Sequence, residues 1–93
     1  MEVQHDSVVF VGDKPVMNYV LACLTLFQNG SREISLKARG RAITRAVDAA
    51  QILSNRYVPE LSVKKIEIGT EQVPNKESGG MTNVSSMEIR LSK

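Results

Sequence analysis

The chain has 93 residues, with 12 Lys and Arg against 10 Asp and Glu, a formal charge of +2 and 42% hydrophobic residues. That describes one small domain of ordinary globular composition, and no apolar run approaches the roughly twenty residues that a bilayer span needs. A single cysteine excludes an internal disulfide and any cysteine-based zinc site.

Residues 1–6 are polar and acidic, which argues against a signal peptide and reads as a flexible tail on an intracellular, cytoplasmic protein. Residues 7–11, Ser-Val-Val-Phe-Val, form a short β-branched apolar run that Gly12 ends, a buried strand. Pro15 suits the first turn of a helix, where its missing N–H costs nothing. Val16, Val20, Cys23, Leu24 and Phe27 then recur at helical spacing as far as residue 28, and Asn29-Gly30 stops the helix. Cys23 reads as a core filler rather than a nucleophile. Residues 32–38 alternate, with Ile34, Leu36 and Ala38 on one face, as a second strand does.

Gly40 frees the backbone for a tight turn into a helix over residues 41–57. Its expected buried stripe is Ile43, Ala46, Val47, Ala50 and Leu53. Arg41 and Arg45 are one turn apart and off that stripe, so both are expected to reach solvent or a ligand. Ile66, Ile68 and Thr70 alternate within residues 63–73, a third strand. Residues 74–83 carry turn chemistry, with a tip at residues 78–80. Residues 84–91 make a fourth strand with Met87, Ile89 and Leu91 on one face. The order is β-α-β-α-β-β, an α+β two-layer sandwich: a mixed four-stranded sheet with two helices on one face, in a single domain. Residues of about 70–86 have few large apolar side chains, so this hairpin projects as an arm with a flexible tip. Lys76 is its one basic residue near the tip. A loop that touches nothing is the other reading of the same residues.

Charge is concentrated in one place. Between Arg32 and Arg45 stand five basic residues (Arg32, Lys37, Arg39, Arg41 and Arg45) and one acid, Glu33, so the rest of the chain is net negative. A basic cluster at a strand-to-helix turn suits a phosphate backbone, because its cations displace condensed counterions. A solvated charged face is the plain alternative. Catalysis has little footing, since the lone His5 lies in the tail and Asp13 and Asp48 have no metal-ligand cluster around them. No cofactor or metal is expected.

Two longer segments resemble the Alba family, the small basic chromatin and RNA-binding proteins of archaea. One is Gly12-Asp13-Lys14-Pro15-Val16-Met17-Asn18-Tyr19-Val20-Leu21. The other is Ile34-Ser35-Leu36-Lys37-Ala38-Arg39-Gly40-Arg41-Ala42-Ile43, continuing through Ala46-Val47-Asp48 to Asn55-Arg56-Tyr57. Residues 66–70 and 84–89 also fit. The resemblance implies the same β-α-β-α-β-β fold, similar to the C-terminal domain of bacterial initiation factor three. It further implies homodimers that associate side by side on nucleic acid, with paired terminal hairpins reaching toward the minor groove.

On that resemblance, Lys14, Arg39 and Arg41 belong to a central nucleic-acid surface, with Gly40 in its turn. Lys37 and Arg45 add to the field, and Lys76 lies on the arm. Asn18 and Tyr19 match the motif beside this surface, where they either hydrogen-bond and stack on nucleic acid or cap and pack the first helix. Tyr57 matches an aromatic position of dimer–dimer packing, or else finishes the core. One departure stands out: family members commonly carry two adjacent lysines after the glycine, and the first of these is Asp13 here. That lysine is acetylated in some members, which weakens DNA binding. An aspartate cannot be acetylated and repels phosphate, so weaker, more salt-sensitive complexes are expected. The function implied is non-enzymatic, largely sequence-independent binding of double-stranded DNA, RNA or both, in a chromosome-associated protein that coats or compacts DNA. RNA folding or translation is the alternative role, and a small metal-dependent nuclease the remote one.

Overall fold

The computed structural model describes residues 7–93, so the tail expected at residues 1–6, with His5, lies outside the described residues. Four strands and two helices follow in the order β1 (Ser7–Phe10), α1 (Val16–Gln28), β2 (Glu33–Arg39), α2 (Ala42–Ile52), β3 (Ser62–Pro74) and β4 (Met81–Ser92). The sheet order is β1-β2-β4-β3. β1 and β2 are parallel, while β4 runs antiparallel between β2 and β3. The mixed α+β architecture read from the sequence is the one observed.

Pattern and packing agree along most of the chain. Ile34, Leu36 and Ala38 of β2, with Ile89 and Leu91 of β4, are buried under the helices. Val20, Cys23 and Phe27 of α1 meet them, as do Ala42, Ala46, Ala49, Ala50 and Leu53 of α2. The four alanines let the α2 backbone lie close to the sheet. Each fully buried Leu or Ile contributes about 1.5–3 kcal/mol of transfer free energy. Helix α1 ends in a Schellman motif: Gly30, at φ 103°, donates to the Phe27 carbonyl and Ser31 to that of Leu26.

Two expectations need correction. Val47 is not in the buried stripe; it is 38% exposed, and Ala42 and Ala49 take the core positions instead. The second helix does not run uniformly to Tyr57. Its last turn, Leu53–Tyr57, is π-helical, with the Val58 N–H donating to the Leu53 carbonyl at 2.7 Å. In an α-helix Tyr57 would follow Leu53 onto the core face. The wider turn gives that place to Val58 and leaves Tyr57 exposed.

The hairpin is also more regular than its composition suggested. β3 and β4 stay in register out to Pro74 opposite Met81, so residues 81–83 are strand rather than loop. The tip at residues 75–80 is organised by Asn75. Its side-chain oxygen accepts the N–H groups of Glu77 and Ser78, and its amide nitrogen donates to Thr82 Oγ1.

Strand β3 packs chiefly on β4, and neither helix covers it. Its helix-side residues Val63, Ile66 and Ile68 are therefore 51%, 56% and 79% exposed. Single exposed apolar residues are ordinary, but a row of them on an edge strand is not.

Candidate nucleic-acid interface

The parallel pair β1 and β2 ends on the same side of the sheet, and each strand leads directly into a helix. The N-termini of α1 and α2 thus open beside each other. Neither has a side-chain cap or an acid in its first turn, so their free N–H groups and dipoles attract anions. The sharp turn between β2 and α2 depends on Gly40, whose φ of 60° lies in the left-handed region. Its N–H donates to the Ser85 carbonyl at 2.8 Å, tying the turn to the base of the arm.

Lys14, Arg39 and Arg41 are all exposed around this end. The Arg39 guanidinium meets Glu71 of the arm at 3.1 Å, both side chains being at least half exposed. An exposed pair of this kind contributes little to stability, so a phosphate can take the place of Glu71. Lys37 and Arg39 alternate with the buried Leu36 and Ala38, which places both cations on the sheet face away from the helices. Lys37 lies 3.9 Å from Glu88. Asp13 and Asn18 are exposed, as is Lys76 at the arm tip.

Two residues of the expected surface act differently. Tyr19 is 7% exposed, so its ring is not available to stack on a base. Its hydroxyl accepts the backbone N–H groups of Gly12 and Lys14, at 2.8 and 3.0 Å. Arg45 is half-buried rather than directed to solvent, and donates to the Gly12 carbonyl at 3.2 Å. Both clamp the loop that presents Asp13 and Lys14. Sequence spacing could not reveal this, because the Arg45 contact joins α2 to a distant loop and the Tyr19 contacts depend on how that loop folds back over the start of α1. Tyr19→Phe keeps the packing and removes the acceptor. It is expected to cost about 1–2 kcal/mol, a fall of several degrees in Tm for a domain this size, read by thermal melting at fixed protein concentration.

Cys23 is buried among apolar side chains, which pushes its thiol up to about 12. It stays protonated at neutral pH and is no nucleophile. Among the described residues, no group of His, Cys, Asp and Glu is arranged to hold a metal ion.

Comparison with known proteins places this arrangement. The Alba family model matches residues 7–70. The DNA/RNA-binding protein Alba 1 of Archaeoglobus fulgidus is 56% identical over 88 residues, covering 95% of this chain and 97% of that protein. The DNA/RNA-binding protein Alba of Methanocella arvoryzae is 50% identical over 88 residues, covering 95% and 91%. Among solved structures, Alba from Thermoplasma volcanium superposes with a TM-score of 0.88 at 44% identity, covering 94% of this chain and all of that one. ALBA1 of Trypanosoma brucei gives 0.75 at 25% identity, covering 94% and 68%. Fold, motif and sequence agree across nearly the whole length, and the chain belongs to the Alba family.

Proposed function

We propose that the chain is a non-enzymatic, largely sequence-independent nucleic-acid-binding protein, acting as a homodimer that coats duplex DNA or binds RNA. The observation that carries this is the convergence of exposed Lys14, Arg39 and Arg41 on two uncapped helix N-termini. Such a surface holds phosphates and reads no bases. The relatives named above are described as DNA- and RNA-binding rather than by a reaction.

Dimerisation is supported by the uncovered apolar row Val63, Ile66 and Ile68, continued by exposed Val47 and partly buried Ile43 and Met87. A second copy covering these residues would remove a row of apolar surface that the fold leaves open. It would also bring two cationic ends into one assembly, with an arm on each side. The arms, each with Lys76 at its tip, would follow a minor groove by its width rather than its sequence. Tyr57, turned outward by the π-helical turn, is suited to contacts between dimers on a shared strand. A chromosome-associated location follows from this reading.

A salt titration tests it. With about six to eight phosphates contacted per dimer, log affinity for a duplex should fall with log salt at a slope near −5 to −7. A nearly flat line would count against the proposal. Asp13→Lys exchanges an anion for a cation in each copy and is expected to raise affinity at least ~10-fold and steepen the slope by about 2. The native Asp13 thus makes complexes that give way at lower salt because they start weaker, although their slope is shallower. Unchanged affinity in this variant would put residue 13 off the contact surface. Competition between duplex DNA, duplex RNA and single strands at one salt concentration separates a DNA-coating role from one in RNA folding or translation.

A further inference from the structure

Phe10, the last residue of β1, lies on the sheet face away from the helices and is 74% exposed. Tyr19 and Phe27 are buried in the core, and Tyr57 lies at the far end of α2. Phe10 is therefore the aromatic beside the cations. It is paired across the strand with Lys37, and Arg39 follows on the same face. With Asp13, Arg41 and Glu88, these residues line one open groove of about 830 Å³.

We infer that Phe10 is a stacking platform for an unpaired base whose flanking phosphates are held by Lys37, Arg39 and Arg41. The inference rests on the nucleic-acid reading above and adds a site to it. An aromatic face set among cations is the pairing that single-stranded nucleic acid requires, because every base has a π-face and every nucleotide a phosphate. A duplex keeps its bases stacked inside and cannot use the ring. The carboxylates of the same groove, Asp13, Glu67, Glu71 and Glu88, favour the same occupant. They accept hydrogen bonds from the amino edge of an exposed base. The ring therefore discriminates unpaired from paired strands, which the arginines, the helix N-termini and the arms do not.

The test compares Phe10→Ala and Phe10→Trp with the native chain. The probes are an unstructured 12-nucleotide RNA, the same sequence as DNA, and a DNA duplex of that length. Phe10→Ala is expected to lose roughly 5- to 100-fold in affinity for the single strands, with duplex affinity within about twofold, while Phe10→Trp retains single-strand binding. Loss on RNA alone would mark the site as selective for RNA. Unchanged single-strand binding, or an equal loss on the duplex, overturns the inference. So does a lower oligomeric state of Phe10→Ala in sedimentation, which would assign the ring to contact with a second copy. The two readings fail separately: a native chain without salt-dependent duplex binding removes the general function, whereas normal duplex binding with an indifferent Phe10 removes only this site. Because the ring is exposed, thermal melts of both variants should match the native chain.

Discussion

Replacing Arg39 and Arg41 together by alanine is expected to weaken duplex binding by roughly a hundredfold or more near 0.1 M salt, and to reduce the salt slope by about 3 to 4. In the proposed dimer the variant removes four cations. The loss should be similar for every sequence, because phosphate contacts carry no base information. Folding should survive, since both side chains are exposed and the ion pair of Arg39 with Glu71 is itself exposed. Glu71→Gln is the complementary variant. It frees Arg39 from its internal partner and should raise affinity a few-fold, by removing a carboxylate that competes with phosphate. Full affinity in the double alanine variant, measured by fluorescence anisotropy against several duplexes, would remove these residues from the interface.

Replacing Ile66 and Ile68 together by threonine is expected to dissociate the proposed dimer. Threonine keeps the β-branch that suits a strand and adds no charge, so the sheet and the electrostatics are left as they were. Both isoleucines are more than half exposed in the single chain, and the monomer core does not depend on them. If the second copy buries them, the four exchanges in a pair of chains each forfeit part of a side chain's burial, about 1.5 kcal/mol, and the sum of about 6 kcal/mol raises the dimer Kd by roughly four orders of magnitude. Sedimentation should then find monomers at micromolar concentration, and the salt slope for duplex binding should fall by about half as the two cationic ends separate. A variant that remains dimeric would move the interface elsewhere. A monomer that keeps the native slope would mean that one copy suffices to grip the strand.

Period and punctuation in the sequence determined the elements and most of the core. The 3.6-residue recurrence of Val20, Cys23 and Phe27 set the buried face of α1, and the alternation of Ile34, Leu36 and Ala38 set that of β2, because each pattern has one geometry that buries it. Asn29-Gly30 and Gly40 marked their turns through backbone freedom that is local to the residue. The charge excess between Arg32 and Arg45 located the cationic end. The extent of the hairpin strands was not legible, because residues 74–83 have turn composition but hydrogen bonds across the arm hold Met81 to Asn83 in the ladder.

Only the tertiary structure sorted the residues within the site. By position Tyr19 is open to either a ligand contact or a packing role, and Arg45 reads as facing solvent or a ligand; both hold the Gly12–Lys14 backbone, Tyr19 from the start of the next helix and Arg45 from α2. Val47 read as core by period and Ile68 shared a strand face with Ile66, but their elements extend past the layer that would cover them, so both stay open to solvent. Phe10 read as part of a buried strand, yet β1 has helices on one face alone, and the other face carries its ring to the cations of β2. Periodicity reports which side chains share a face. Whether that face is covered, and by what, depends on contacts between segments far apart in sequence, and those are made only when the layers stack.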